Sequence, residues 1–230
     1  MKRFYKEVAA VPVEGGHAIR LDGRTVRTPA RTVLTLPNVA LADAVAGEWA
    51  AQGETIDPRS MPLTGLANAA IDRVAPDRAA FARDIAAYGE TDLLCYRADE
   101  PAGLVARQAA EWDPLLDWAR TRFDVHFAVT SGIVHRPQPA ATIARLAEAV
   151  AARDAFALAG LSPLVTIGGS LVAALALAEG AIDADIAFAA THLDELWQAG
   201  IWGEDMLAAD ARAARKRDFA AAARFLTLLG

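Results

Sequence analysis

Six carboxylates, Asp183, Asp185, Asp194, Glu195, Glu204 and Asp205, fall within residues 183–205, a stretch that holds no Lys or Arg. Two such groups facing one another can share general acid/base work, and His192 lies among them to take or deliver a proton. Carboxylates along an exposed helix face more often serve solvation. What sets this stretch apart is interleaving, because Leu193, Leu196, Trp197, Ile201 and Trp202 alternate with Asp194, Glu195, Glu204 and Asp205. Large aromatics beside acids suit recognition of a protein, since Trp supplies burial while carboxylates meet Arg or Lys on a partner. Trp202 equally fits a core anchor of the last helices.

Other chemistries find less support in the residues. His17, His126, His135 and His192 are scattered without the i, i+4 pairing that puts two imidazoles on one metal, so no metal or other cofactor is expected. There is no nucleophile elbow, no phosphate-binding P-loop and no dinucleotide fingerprint. Ile167-Gly168-Gly169-Ser170 is the nearest glycine-rich element, and without a neighbouring Lys or Arg its glycines read as a place of close helix packing. An enzyme using Asp194, Glu195 and His192 in a pocket therefore remains the alternative reading, with no recognisable nucleophile.

Composition bounds the rest. The 230 residues, 54% of them apolar, suffice for a substantial core. The formal charge of −6 is unevenly spread: residues 1–37 hold seven Lys/Arg against three Asp/Glu, and the remainder is acidic. An acidic surface repels phosphate backbones, which argues against nucleic acid as a partner and for a protein with basic patches. A single cysteine, Cys95, allows no internal disulfide and implies a reducing compartment. The opening MKRFYKEV reads as neither a secretory signal nor a transit peptide, so a cytoplasmic location is expected. Residues 155–178 carry no charge and exceed the roughly 20 residues that span a bilayer. Pro163, Thr166, Gly168, Gly169 and Ser170 interrupt that run, and no cationic cluster flanks it, so it is read as a buried core helix and not an integral membrane segment.

The elements that position these groups follow from periodicity. From Phe4 to Leu36 the pattern alternates at period two, with turns at Glu14-Gly15-Gly16 and Asp22-Gly23; the second fits a two-residue type I′ hairpin. Asn38 caps a helix running to about Gln52. After Pro62, Leu63, Leu66, Ala67, Ala70, Ile71 and Val74 share one helical face. Thr91 to Tyr96 fits strand or helix. Trp112 to Phe123 is predicted helical with Pro114 near its start, and Phe123 to Thr130 alternates as a strand returning to the small sheet. From Ala140 onward nearly everything reads as helix. The fold class is α+β, a small antiparallel β-rich N-terminal domain (residues 1–90, with flanking helices) followed by a larger all-helical domain (residues 91–230).

One block resists periodic reading: Gly47 to Arg73, GEWAAQGETIDPRSMPLTGLANAAIDR, where Trp, Pro, Met, Asn and Thr crowd together. With RFYKEV (3–8), LDGRTVRTP (21–29), TDLLCYRA (91–98) and WDPLLDW (112–118), it resembles the assembly chaperones that bind the α subunit of the F-type ATP synthase catalytic head. The resemblance runs nearly end to end. It implies a non-enzymatic chaperone, expected to be a monomer, that holds the unassembled α subunit, prevents its aggregation and is displaced by the β subunit. It also places the family's client-linked acid on Asp194 or Glu195, and the sequence leaves open which. Asp194, Glu195, Trp197, Trp202 and Glu204 are the candidate partner-binding residues. Trp49, Pro62, Asn68 and Asp72 are read as fold determinants, Trp49 by packing the first helix on the sheet, Asn68 and Asp72 by satisfying backbone groups where helix meets loop.

Overall fold

The computed structural model describes residues 1–132, 134–203 and 205–230. In chain order it runs β1 (Val8–Val13), β2 (Gly16–Leu21), β3 (Arg24–Thr25), β4 (Thr35–Leu36), α1 (Val39–Ala50), α2 (Pro62–Ala69), α3 (Arg78–Ala86), β5 (Tyr96–Arg97), α4 (Ala102–Phe123), β6 (Thr130–Ser131), α5 (Ala140–Ala151), α6 (Ala155–Gly168), α7 (Leu171–Ala178), α8 (Ala184–Thr191), α9 (Leu193–Trp202) and α10 (Met206–Leu229). A small antiparallel β region thus opens a chain that is otherwise mostly helical, as the alternation of the first 36 residues predicts. The chain divides into two compact units, Met1–Arg78 with Asp154–Gly160 and Arg224–Gly230, and Ala79–Arg153 with Leu161–Ala223.

In the first unit β2 pairs antiparallel with β1 along its length, and with β3 and β4 on its other edge. The turn between β2 and β3 is the one expected: Asp22 and Gly23 both have positive φ, 48° and 78°, as a type I′ turn requires. Asp22 also accepts the Lys6 and Glu7 amides, and these bonds hold its carboxyl below the usual range. Ile19, Leu21, Leu34 and Leu36 bury one sheet face against Leu41, Ala42 and Val45 of α1 and Leu63 and Ala67 of α2. Asn38 caps α1, accepting from the Leu41 amide at 2.9 Å.

The non-periodic block proves to be a polar frame. Glu48 reaches from α1 to the start of α2, one oxygen accepting from the Leu63 amide at 2.8 Å, the other from the Thr64 amide at 2.8 Å and its hydroxyl at 2.7 Å. These are donors that a helix leaves unsatisfied in its first turn, and Pro62, at the first helical position, has none to lose. The buried Gln52 accepts from the Asp57 amide and donates to the Glu48 carbonyl and Ser60 hydroxyl. Asp72 accepts from the Thr28 hydroxyl at 2.7 Å and the Ala30 amide at 2.9 Å. Trp49 lies against the core, its ring edge-on to Tyr5 at 5.8 Å, and its carbonyl accepts from the Tyr5 hydroxyl. The Trp49 indole nitrogen and the Asn68 Oδ1 are buried without a hydrogen-bond partner among the described residues. Because Glu48 serves three donors at once, Glu48→Ala is expected to lower unfolding free energy by about 2–3 kcal/mol, read by chemical denaturation, with Glu48→Gln intermediate.

The second unit is built around α7, whose residues Leu171 to Leu177 are all buried, with α4 and α8 packed on it. The uncharged run 155–178 is therefore not one helix but two, α6 and α7. Gly169 turns the chain with φ 68°, and Ser170 caps α7 through the Ala173 amide. A Cβ on Gly168 would sit 3.0 Å from the Thr191 methyl, so that glycine does permit close packing. Among the described residues no helix is long and apolar enough to cross a membrane. Asp92, fully buried, accepts from the Leu94 amide at 3.0 Å and the Val172 amide at 2.9 Å, tying the Thr91 to Tyr96 turn to the first turn of α7.

Two expectations are corrected. The helix expected from Trp112 begins at Ala102, so Pro114 lies in its interior; both Pro114 and Ala110, whose carbonyl loses its intrahelical donor, are exposed to water. Residues 123–130 do not rejoin the small sheet. Only Thr130 and Ser131 form a strand, parallel to Tyr96 and Arg97 in a separate two-stranded pairing.

Candidate functional site

The described part of the acidic stretch takes in α8 and α9 and ends at Asp205, directly before α10, all within the second unit. Asp183 caps α8 through the Ile186 amide. His192 joins α8 to α9, buried, its ring stacked on Phe188 at 3.8 Å and its Nδ1 3.0 Å from the Phe188 carbonyl. Burial is the main cause holding its pKa below the ordinary histidine value, so it is neutral near pH 7.

Asp194 and Glu195 follow in the first turn of α9, where the helix dipole favours negative charge. Both have internal partners. Asp194 Oδ1 accepts from Gln108 Nε2 of α4 at 2.7 Å, and the buried Gln108 in turn accepts the Ala98 amide at 2.8 Å. Glu195 Oε1 accepts from Arg212 at 3.1 Å and Oε2 from Arg215 at 2.5 Å, both on α10. Trp197 is half-buried on α4, where a Cβ on Gly103 would come within 2.8 Å of its ring.

The end of α9 is different. Trp202 is 84% exposed and therefore not a core anchor; Ile201, Met206 and Leu207 beside it in sequence are exposed as well. Glu204 lies outside the described residues, and Asp205 is exposed. Four large apolar side chains left in water at one helix junction suit burial by another protein rather than by the chain itself.

His192, Asp194 and Glu195 also share a cavity of about 390 Å³ with Arg215, Thr191, Trp112, Leu93 and Ile167. This is the grouping an enzyme would need, yet each of the three side chains has an internal partner: His192 Nδ1 the Phe188 carbonyl, Asp194 Oδ1 the Gln108 amide, and Glu195 both arginines. Among the described residues no cluster of His, Cys, Asp or Glu is suited to a metal ion. Cys95 is buried, and burial, with Asp92 nearby, pushes its thiol up to about 12, beyond use as a nucleophile at neutral pH.

Sequence reading missed Gln108, Arg212 and Arg215, and did not single out Met206 and Leu207. The i, i+3 spacing of the arginines, and two apolar residues directly after the helix break at Gly203, were the available signals.

A largely helical chain with a small sheet and four exposed apolar side chains at one helix junction has the features of a protein-recognition molecule. Residues 2–120 match the family description "ATP12 chaperone protein". Atp12 from Paracoccus denitrificans is 44% identical with a TM-score of 0.96, the match covering 100% of this chain and 98% of that one. A protein of Agrobacterium tumefaciens, described as a candidate chaperone, is 45% identical with a TM-score of 0.95, covering 100% of this chain and 86% of the other. The mitochondrial protein atp12 of Schizosaccharomyces pombe is 23% identical over 214 residues, 88% of this chain and 74% of that protein. The chain belongs to the ATP12 family of ATP synthase assembly chaperones.

Proposed function

We propose that this chaperone binds the unassembled α subunit of the ATP synthase catalytic head and keeps it from aggregating until the β subunit displaces it. The observation that carries the reading is the exposed cluster of Ile201, Trp202, Met206 and Leu207 on a member of an assembly-chaperone family. An unassembled subunit exposes the apolar surface that its partner will later bury, and covering it reversibly needs a matching face that binds more weakly than that partner. The α9–α10 face, with Asp194, Glu195, Trp197 and Trp202, and Glu204 beside it in sequence, is that surface. The protein works in the cytoplasm as a monomer, without catalysis, cofactor or nucleic acid.

The test is suppression of aggregation of isolated α subunit, with co-elution on a sizing column and β subunit added afterwards. Protection, a one-to-one complex and its loss on adding β are expected. If α subunit aggregates equally with and without the chaperone and no complex elutes, the client assignment is wrong.

A further inference from the structure

α9 and the first half of α10 bury little apolar surface of their own. On α9 only Leu193 is buried, with Leu196 and Trp197 half-covered, and on α10 no residue from Met206 to Asp218 is buried. Helices with so few apolar contacts separate at low free energy, so polar links decide their geometry. Glu195 supplies such a link, each of its oxygens taken by a different guanidinium of α10, and the Arg212 side chain is only 12% exposed. Its neighbour Asp194 anchors the root of α9 to α4 through Gln108. Beyond the ion pairs a crevice of about 250 Å³ opens between the helices, with Ala199 and Trp202 on one wall and Ala208 on the other. The spacing set at Glu195 therefore fixes where Trp202 stands relative to the start of α10.

We propose that Glu195 is a positioning residue for client capture. It acts through Arg215 and Arg212, holding α9 and α10 at the spacing that presents Ile201, Trp202, Met206 and Leu207 as one patch, and it does not meet a cation of the client. Both carboxylate oxygens already face a guanidinium, so their charge is largely compensated within the chain and a client arginine would gain less there than at an unpaired acid. The inference rests on the reading that this face takes the α subunit.

The experiment exchanges two of these three charges. Capture of α subunit, by co-elution and aggregation suppression, is measured for the unaltered chain, Glu195→Arg, Arg215→Glu and the two combined, with circular dichroism reporting the fold. Each single reversal is expected to weaken capture ~tenfold or more, and the combination to return within ~threefold of the unaltered chain. A combination as weak as Glu195→Arg, or an Arg215→Glu chain that captures normally, would mean that Glu195 touches the client, overturning the positioning role while leaving the function intact. An unaltered chain that captures nothing removes both. Where a reversal prevents folding, Glu195→Gln, Arg215→Gln and their combination answer the same question: a combination no weaker than either single change supports coupling, and additive losses overturn it.

Discussion

Asp92→Ala is expected to destabilise the chain by about 3 kcal/mol or more at pH 7, because it strips the acceptor from buried donors at Leu94 and Val172. The loss should also depend on pH, in a direction set by the carboxyl itself. Burial is the main influence on Asp92 and pushes its pKa up to about 6, against the opposing pull of the Val172 amide, the Ser170 side chain and the Leu94 and Leu171 amides. A group whose folded pKa lies above its unfolded one favours the folded state most when protonated. Its contribution is therefore fully present below the unfolded value, near 4, and is lost as pH rises through about 6. The gap between the unaltered chain and Asp92→Ala should widen as pH falls from 7 to about 4.5. The measurement is denaturant unfolding at both pH values; an equal gap at the two would show that Asp92 does not titrate in this window. Asp92→Asn is a useful contrast. It keeps one acceptor oxygen but turns an amide NH₂ toward the second donor, so it should be destabilising at both pH values and lack the pH-dependent part.

Asp92 also shows where the sequence stops being readable. The alternating strands and the Asp22-Gly23 turn are legible because their rules are local: side chains alternate faces, and two consecutive positive φ values need residues such as Asp and Gly. Asn38 and the face of α2 are legible for the same reason. Glu48, Gln52 and Asp92 act on backbone groups of another element, and no helical or strand period marks a residue for that task. In residues 123–130, alternation misled because the Gln138 side chain takes the place of a neighbouring strand: it accepts from the Ala128 amide and donates to the Ala128 carbonyl, each at 2.9 Å. Pro114 misled in the opposite sense, since a proline on an exposed helix face needs only water to satisfy the carbonyl it frees. At the candidate site the acids and tryptophans stood out by type and spacing. Their partners did not, because Gln108 and Asp194 lie 86 residues apart and Glu195 and Arg215 lie 20 apart, and only the packing of α9 on α4 and α10 brings them together.

Trp202→Ser is expected to weaken α-subunit capture ~30-fold or more while shifting unfolding free energy by no more than ~0.5 kcal/mol. The two halves of this expectation come from one observation. A ring 84% exposed contributes almost nothing to the packing of its own chain, so removing it costs the fold little. The same ring offers a client a large apolar surface at the price of few frozen torsions, which is why tryptophan dominates binding energy where it occurs at an interface centre. Trp112 provides the internal contrast: 1% exposed and donating its indole N–H to the Ala190 carbonyl at 2.8 Å, it should abolish folding when changed to Ser, and capture with it. Trp197, half-buried against Gly103, should fall between, losing both stability and capture. The measurement pairs thermal unfolding with a titration of α-subunit aggregation for each variant. A Trp202→Ser chain that protects the α subunit as well as the unaltered protein would move the client face away from the α9–α10 junction. Loss of protection with an unchanged melting midpoint would place the tryptophan in contact with the client, since no effect through the fold would remain to explain it.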